Sequence, residues 1–342
     1  MAIEESEESD ATRVVVELAR LDEPWAVRVA ATLRLADLIA EEGTELDELS
    51  TRAGADRDAL GRVLRFLSAR GVFAETSRNV FAPTAASSVL RDEHPAGLRR
   101  WFDLDGAAGA MDRAYAGLLD TVRTGTPAYP KLRGRSFWED LAADDDLRAS
   151  FASLMAAHSD SLAEEVITGY PWARYRLVAD VGGGTGTLLT RILSAYPKLR
   201  GVLIDLVANS AEAADVIAKA GVADRCEVAA TDFFGPLIRG ADVYVLRNII
   251  HDWPDEQAVR ILRRGAEAAG ETGRVLVVDR VVGEGSNQHE LTGMDLRMLV
   301  LFASRERTLD EFNDLAAAAG MSLVTARANA SAYWILEYAS SS

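Results

Sequence analysis

Residues 180–186 read DVGGGTG, and they follow on from the apolar run LVADV at 177–181. Glycines at 182, 184 and 186 allow the backbone to turn sharply and to approach a ligand that a side chain would hold away. The residues that follow, 187–195, have helical periodicity. A strand, a glycine-rich turn and a helix in this order are typical of a doubly wound α/β sheet. A purely structural turn is the alternative interpretation.

The chain beyond Pro171 alternates short apolar runs with helical segments. This pattern predicts a parallel sheet with helices on both faces. The predicted strands are 177–181, 201–205, 226–230, 242–247, 274–279, 322–326 and 333–338, and the predicted helices lie near 187–195, 209–220, 255–269 and 308–319. Only six residues, 327–332, join the last two strands, which is too few for a helical crossover. These two strands should therefore pair antiparallel.

Three acidic residues, Asp180, Asp205 and Asp232, are predicted to line the carboxyl edge of this sheet. Asp205 ends the second strand about 20 residues after the glycine loop, where an acid can bind both hydroxyls of a ribose. Each acid alone could be a helix cap, but one shared ligand site explains all three. Thr187 stands where a GxGxxG fingerprint needs Gly or Ala, which argues against a dinucleotide.

His251 lies in the stretch RNIIHDWPDE (247–256), directly after the fourth predicted strand. This position places it at the same sheet edge as the glycine loop, which favours a base acting on a ligand in the shared crevice. The alternative is a polar residue that only closes a strand.

The residues before the sheet fall into three segments. Residues 1–10 carry five acids and no base, which predicts a disordered acidic tail. Residues 11–100 contain two short helices and then two strands, the pattern of a winged helix-turn-helix. Thr44 is the expected N-cap of the first of these helices, and Gly54 its end. Residues 101–170 predict a helical linker, interrupted by a loop at 123–134, where two prolines and two glycines occur.

A winged helix by itself suggests a transcription regulator, and Arg62, Arg65 and Arg70 lie on the candidate recognition helix. The net charge of −16 opposes this function, since nucleic acids are bound largely through lysine and arginine.

The composition excludes several further classes of protein. The single cysteine, Cys226, excludes an internal disulfide and a thiolate metal cluster. The four histidines are far apart in the sequence and lack the spacing of a zinc site. No apolar run approaches the roughly 20 residues that span a bilayer, and the acidic start is unlike a signal peptide. We therefore expect a metal-free cytoplasmic protein that binds neither membranes nor nucleic acid.

Taken together, the motifs DVGGGTG, TDFF (231–234), RNIIHDWPDE and RERTLDEF (305–312) resemble one protein family. The second half of the chain resembles class I S-adenosylmethionine-dependent methyltransferases, in particular the small-molecule O-methyltransferases of plants and antibiotic-producing bacteria. The similarity extends through the N-terminal winged helix. It implies a Rossmann-like, seven-stranded, mostly parallel sheet in residues 171–342, behind a winged-helix domain that forms a homodimer instead of binding DNA.

The resemblance also implies roles for individual residues. His251 would be the general base, flanked by Asp279 and Glu306, although the family has glutamate at the position of Asp279. S-adenosylmethionine would be held by Asp180, Gly182, Gly184, Gly186, Asp205, Leu206, Asp232, Phe233 and Arg247. The acceptor pocket would be lined by Phe151, Met155, Met298 and Phe302, although residues in such a bare pattern belong to the core more often than to a pocket.

The resulting hypothesis is an O-methyltransferase that acts on a phenolic or polyketide-type aromatic hydroxyl. Two alternatives remain open at this point. One is a relative that binds S-adenosylmethionine without transferring its methyl group, and the other is a winged-helix transcription regulator.

Overall fold

A computed structural model describes residues 2–283, 288–329 and 333–341, without the side chains of 2–9, 157–162 and 288. The chain forms two compact units, Met1–Ala110 and Met111–Ser342. None of the helices in the described part has the length and apolar character needed to cross a membrane.

The first unit is mainly helical and contains one small antiparallel sheet. Its helices are α1 (Ala2–Leu18), α2 (Asp22–Thr32), α3 (Leu35–Leu38), α4 (Leu46–Ala53), α5 (Arg57–Ser68), α6 (Ala85–Ser88), α7 (Leu98–Phe102) and α8 (Ala107–Arg113), the last of which continues into the second unit. Its strands are β1 (Thr44–Glu45), β2 (Phe73–Ser77) and β3 (Val80–Pro83), in the order β1-β3-β2.

Helices α4 and α5 with strands β2 and β3 form the predicted winged helix-turn-helix. Gly54 ends α4 with a φ of 62°, as expected of a glycine that follows a helix. Asp56 caps α5 by accepting a hydrogen bond from the Ala59 amide at 2.9 Å. The prediction that Thr44 caps α4 is wrong. Thr44 lies in β1, and its hydroxyl accepts a hydrogen bond from the amide of Ala40.

The predicted disordered tail at 1–10 is replaced in the structure by a helix, since α1 begins at Ala2. Alanine and glutamate are among the strongest helix formers, so an acidic segment can be helical without burying a face. Consistent with this, the residues from Asp10 to Leu18 are all exposed.

The second unit contains the long sheet and nine described helices. The helices are α9 (Leu118–Thr124), α10 (Ala128–Arg133), α11 (Phe137–Ala143), α12 (Asp145–Gly169), α13 (Thr187–Ala195), α14 (Ser210–Lys219), α15 (Asp255–Ala269), α16 (Gln288–Phe302) and α17 (Leu309–Ala318). The strands are β4 (Leu177–Val181), β5 (Arg200–Asp205), β6 (Cys226–Ala230), β7 (Val243–Arg247), β8 (Arg274–Arg280), β9 (Met321–Ala328) and β10 (Tyr333–Ser340).

The loop predicted at 123–134 is only partly a loop, because it contains α10. Pro127 immediately precedes this helix and Pro130 lies in its first turn, where a proline costs no helical hydrogen bond. Gly125 ends α9 and Gly134 ends α10, both with positive φ. The prolines and glycines thus delimit a short helix instead of preventing one.

The seven strands lie in the order β6-β5-β4-β7-β8-β10-β9. Strands β4 to β8 pair in parallel. Strand β10 is antiparallel to β9, as the short connection predicts, and it is also antiparallel to β8. Both faces of the sheet are apolar: Val243 and Val245 belong to one buried cluster, and Tyr244 and Leu246 to the other. Since parallel strands end at the same edge, the polar residues at their carboxyl ends meet there.

Candidate active site

The glycine loop between β4 and α13 has one crowded position and one open position. Gly182 has a φ of 70°, and a Cβ there would lie 2.5 Å from Ile249 Cδ1 and 3.4 Å from Phe233 Cε1. Gly184 has a φ of 59°, and a Cβ there would meet no atom within 4 Å. The main chain at Gly184 therefore borders open space, as a loop that a ligand approaches closely requires. Gly186 precedes α13 with a φ of 77°.

Asp205, the last residue of β5, is bound directly to this loop. Its Oδ2 accepts a hydrogen bond from the Gly184 amide at 2.7 Å, while Oδ1 accepts from the Leu206 amide and from Asn209 Nδ2. Burial raises the pKa of Asp205, although these donors act in the opposite direction. The carboxylate is thereby held at the mouth of the glycine loop, where the sequence places it.

Asp180 lies behind the loop and is 3% exposed. Its Oδ2 is buried, and no group among the described residues donates a hydrogen bond to it. Burial raises the pKa of Asp180 to about 7, the Arg247 guanidinium opposes this rise, and the Asp205 carboxylate adds to it. A buried carboxylate with an unused oxygen is a suitable partner for a cationic ligand group.

Arg247, the last residue of β7, lies between the two groups of acids. Burial lowers its pKa, whereas the carboxylates of Asp180 and Asp279 act in the opposite direction. The guanidinium thus interacts both with the acid behind the glycine loop and with an acid beside His251.

Two of the predicted cofactor residues lie more at the surface. Asp232 is exposed, and its Oδ1 accepts a hydrogen bond from the Phe234 amide, which closes the turn after β6. It makes no described contact with Asp180 or Asp205, whereas the Asp205 carboxylate acts on Asp180 through its charge. That all three acids line one ligand site stays a prediction. Leu206 is 53% exposed.

His251 lies in a 3-10 turn that follows β7, and we call residues 250–253 the histidine turn. Its Nδ1 is 2.9 Å from Oε1 of Glu306 and 3.8 Å from Oδ1 of Asp279. Its Nε2 is 3.4 Å from Oδ1 of Asp252. Because an ionised carboxylate only accepts hydrogen bonds, the bond to Glu306 places the hydrogen of a neutral imidazole on Nδ1. Nε2 is then the basic atom.

The charges around His251 determine its protonation. Burial lowers the pKa of His251, but the carboxylates of Asp279, Glu306 and Asp252 outweigh this effect and raise it well above its ordinary value. Burial raises the pKa of Asp279 to about 6 and that of Asp252 to about 7, although His251 opposes both rises. The site is therefore built to favour the imidazolium.

The side chains of His251, Asp279 and Glu306 also meet a geometric condition for a metal site. One potential ligand atom from each lies within 4.8 Å of the other two. The hydrogen bond between Nδ1 and Glu306 explains the cluster without a metal, because a metal at Nδ1 would displace it. The sequence-based expectation of a metal-free site stays a prediction.

The predicted acceptor residues Phe151 and Phe302 meet around Trp138, a residue of α11 that the motifs did not identify. Trp138 stacks on Phe302 with ring centroids 5.3 Å apart, and on Trp253 at 5.9 Å. Phe151 packs edge-on against Trp138 at 5.9 Å. The buried Nε1 of Trp138 has no hydrogen-bond partner among the described residues. The only sequence signal for Trp138 was that it directly follows another aromatic residue, at 137.

The two predicted methionines lie beside these aromatic residues in sequence. Met298 is buried on α16, one turn before Phe302. Met155 is partly buried on α12, one turn after Phe151.

Comparisons with known proteins identify the family of the chain. Residues 115–322 match the O-methyltransferase domain, and residues 23–92 match the O-methyltransferase dimerisation domain. The 2,7-dihydroxy-5-methyl-1-naphthoate 7-O-methyltransferase of Streptomyces carzinostaticus is 45% identical over 90% of this chain and 91% of its own length. Aclacinomycin 10-hydroxylase RdmB of Streptomyces purpurascens is 42% identical over 96% of this chain and 88% of its own.

A solved structure of the O-methyltransferase NcsB1 from neocarzinostatin biosynthesis is also similar. It contains S-adenosyl-L-homocysteine and 1,4-dihydroxy-2-naphthoic acid. It superposes with a TM-score of 0.89 at 44% identity, over 95% of this chain and 98% of NcsB1.

Proposed function

Since the chain belongs to the O-methyltransferase family, we propose that it transfers the methyl group of S-adenosylmethionine to a hydroxyl of a small aromatic acceptor, with His251 as the general base. The observation that carries the proposal is the hydrogen bond from His251 Nδ1 to the buried Glu306, at the sheet edge that also holds the glycine loop. This bond leaves Nε2 as the proton acceptor.

The residues at the glycine loop fit the cofactor. Gly184 gives a ligand access to the main chain, Asp205 can accept the ribose hydroxyls, and the unused oxygen of Asp180 suits a positive charge. Leu206, Asp232 and Phe233 would border the adenine, while Arg247 and the remaining glycines would lie along the methionine part. When bound, S-adenosylmethionine supplies a methyl group made electrophilic by the sulfonium charge.

The pKa of His251 bears directly on the reaction. A phenol has a pKa of about 10 and an unperturbed histidine about 6.5, so complete proton transfer before methylation would cost roughly 5 kcal/mol. The carboxylates that raise the pKa of His251 narrow this gap. Nε2 of His251 would take the proton of the acceptor oxygen as that oxygen attacks the methyl group that the bound cofactor would supply. Glu306 and Asp279 stabilise the imidazolium that results.

The aromatic residues support a flat acceptor. The rings of Trp138, Phe302 and Trp253 stack nearly parallel, with interplanar angles of 8° and 16°. Such walls bind planar apolar ring systems through stacking. The named substrate of the Streptomyces carzinostaticus relative is a dihydroxynaphthoate, which agrees with this shape. We therefore propose that the acceptor is a planar phenol with one aromatic ring or several fused rings. Its pocket would be lined by Phe151, Met155, Met298 and Phe302.

A second candidate is hydroxylation of an aromatic acceptor without methyl transfer, in which dioxygen would supply the inserted oxygen atom and an added two-electron reductant would convert the other oxygen atom to water. The 42% identity with the protein named aclacinomycin 10-hydroxylase is the observation that favours it. Methyl transfer is the better supported proposal because methylation of a hydroxyl requires a base to remove its proton. His251 with its neighbouring carboxylates can be that base.

The decisive experiment incubates the purified protein with S-adenosylmethionine and 1,4-dihydroxy-2-naphthoic acid and identifies the product by mass spectrometry. A gain of one CH₂ unit supports methylation, whereas a gain of one oxygen atom supports the second candidate. His251→Ala should lower kcat by about 10²- to 10⁴-fold, the usual contribution of a positioned base, while cofactor affinity is retained. His289→Ala, at an exposed position of α16, is the matched control. A near wild-type rate for His251→Ala would disprove the base assignment.

We propose that the first unit mediates a homodimer and does not bind DNA. Of the three arginines predicted on the recognition helix, Arg62 pairs with Asp58 at 2.8 Å and Arg65 donates to Asn79 at 3.4 Å. Arg70 lies beyond the end of α5 and pairs with Glu23 at 2.8 Å. The match to a dimerisation domain supports the same interpretation. Light scattering should give twice the chain mass, and a gel shift at low salt should show no complex.

The single cysteine favours a cytoplasmic location.

A further inference from the structure

The segment 303–307 bonds to the main chain of the histidine turn as well as to the imidazole of His251. Ser304 Oγ donates a hydrogen bond to the carbonyl oxygen of His251 at 2.7 Å. Arg307 donates from Nη1 to the carbonyl of Ile250 and from Nη2 to the carbonyl of Trp253, both at 2.8 Å. The two carbonyls that Arg307 binds lie on either side of His251.

We propose that Arg307 is a positioning residue for methyl transfer: its guanidinium fixes the main chain of the histidine turn, so that the imidazole stays directed at both Glu306 and the acceptor. This inference rests on the proposed function, because it requires His251 to be the base. It concerns the orientation of His251, and Arg307 itself touches neither cofactor nor acceptor in this role.

The guanidinium of Arg307 is buried, and its donors bind main-chain carbonyls and one carboxylate. The residue is 1% exposed, and it binds Oδ1 of Asp255 from Nη2 at 2.7 Å and from Nε at 3.3 Å. A buried guanidinium is stable only when its donors are paired. Two carbonyls and one carboxylate meet this need through the planar, forked geometry of arginine, which the single ammonium of lysine cannot reproduce.

Arg307 also joins the histidine turn to the strand that carries Asp279. Its main chain forms a parallel bridge with Val281, just past β8, and its carbonyl accepts a hydrogen bond from the Val282 amide at 2.9 Å. The three catalytic side chains come from the histidine turn, from β8 and from the segment 303–307. Arg307 therefore bonds its own segment both to the histidine turn and to the chain just past β8.

The backbone of both loop segments is in a conformation that needs such support. Asn248, just before the histidine turn, has a φ of 52°, and Ala303, at the start of the segment 303–307, has a φ of 53°. Residues other than glycine keep this left-handed conformation only when the surrounding structure determines it. The hydrogen bonds of Ser304 and Arg307 join these two segments to each other.

Arg305 provides a matched control within the same segment. It binds Oδ2 of Asp255 and Oε1 of Glu311, but it is 52% exposed and has no described bond to the histidine turn. Arg305→Lys and Arg307→Lys thus make the same chemical change next to the same carboxylate, and only the second removes contacts with the turn.

The test measures kcat, acceptor KM and cofactor affinity for both variants, with 1,4-dihydroxy-2-naphthoic acid as the probe acceptor. Arg307→Lys should lower kcat about 10- to 100-fold, since small displacements of a reacting group have effects of this size, while KM and cofactor affinity change less than about 3-fold. Arg305→Lys should stay within about 2-fold of wild type. An equal loss in KM and cofactor affinity would indicate a general structural role and overturn the proposal.

A double-mutant cycle separates this inference from the proposed function. If Arg307 acts through His251, Arg307→Lys should cost less than about 2-fold in the His251→Ala background. A full additive loss there, or a wild-type kcat for Arg307→Lys beside an impaired His251→Ala, would disprove the positioning role alone. A wild-type rate for His251→Ala would disprove the proposed base as well. If Arg307→Lys fails to fold, Asp255→Asn, which removes the carboxylate partner of Arg307, replaces it in the cycle with the same criteria.

Discussion

Nδ1 of His251 and Oε1 of Glu306 lie 2.9 Å apart although the two residues are 55 positions apart in the chain. The Glu306 side chain is fully buried. The main-chain amide of Glu306 donates a hydrogen bond to Asp295 Oδ1 at 2.8 Å, which holds the backbone that carries the carboxylate. Asp279, where relatives are expected to have glutamate, stays 3.8 Å from Nδ1. Glu306 is therefore the direct partner of the imidazole, and Asp279 acts through its charge.

The first prediction concerns the pH dependence of activity. A protonated His251 cannot accept a proton, so kcat/KM should rise with pH as the imidazolium ionises. Glu306→Gln removes a negative charge that raises the pKa of His251, and the rising limb should therefore move to lower pH, with a lower plateau. Glu311→Gln, in the capping box of α17, is the control and should leave the profile unchanged. A limb that stays in place in Glu306→Gln would contradict the assignment.

The second prediction concerns Asp180 and stability. Burial raises its pKa to about 7 from 3.8, so the folded protein holds a proton that the unfolded chain has released. The stabilisation is present at low pH and is lost as the pH rises between these two values, by about 1.4 kcal/mol per pH unit. Asp180→Asn should remove this contribution to the slope, leaving that of Asp252 and Asp279, and should weaken S-adenosylmethionine binding.

Chemical denaturation over this pH range measures the slope, with Asp215→Asn at an exposed position of α14 as control. Equal slopes for the wild type and Asp180→Asn would show that Asp180 is not protonated in the folded state.

The third prediction concerns the aromatic wall. Trp138 stacks on Phe302 and Trp253, and the wall that these rings form should contribute about 0.5–1.5 kcal/mol to the binding of a flat acceptor. Trp138→Ala, which breaks this wall, should therefore raise the acceptor KM by roughly 2- to 10-fold without changing cofactor affinity. Trp138→Phe keeps an aromatic face but not the indole N–H. If the phenylalanine variant loses as much as the alanine variant, the N–H and not the ring face binds the acceptor. An unchanged KM in both would place Trp138 outside the acceptor site.

The fourth prediction concerns metals. His251, Asp279 and Glu306 have the ligand atoms for a cation, yet the hydrogen bond at Nδ1 accounts for their arrangement. Dialysis against EDTA should leave the activity unchanged, and elemental analysis should find no stoichiometric metal. Loss of activity that a divalent cation restores would reverse the metal-free interpretation.

Much of the fold could be predicted because it depends on local patterns. The predicted strands 177–181 and 226–230 and the helices 187–195 and 255–269 agree with the structure residue for residue. Apolar periodicity and glycine conformation act over a few neighbouring residues, which the sequence shows directly. The errors also have local causes: the tail at 1–10 is rich in helix-forming residues, and the prolines at 127 and 130 lie where a helix tolerates them.

The candidate site could be predicted only in part. Asp205 and His251 follow from their places at the ends of strands, and Glu306 follows from the motif RERTLDEF. Arg307 stands in the same motif, but its partners, like those of Trp138, are known only from the structure. No pattern within α11 indicates that Trp138 stacks on Trp253, and Arg307 reads as one more surface arginine until its burial is known.

The amino-acid sequence by itself determined which segments become strands and helices and which polar residues end the strands, because backbone propensity and apolar spacing are local properties. Only the tertiary structure decided that Glu306, not Asp279, bonds to His251, and that Asp180 keeps a buried oxygen without a donor among the described residues. Distances of this kind depend on how separate elements pack around one sheet edge, and hydrogen bonds weaken within a fraction of an ångström.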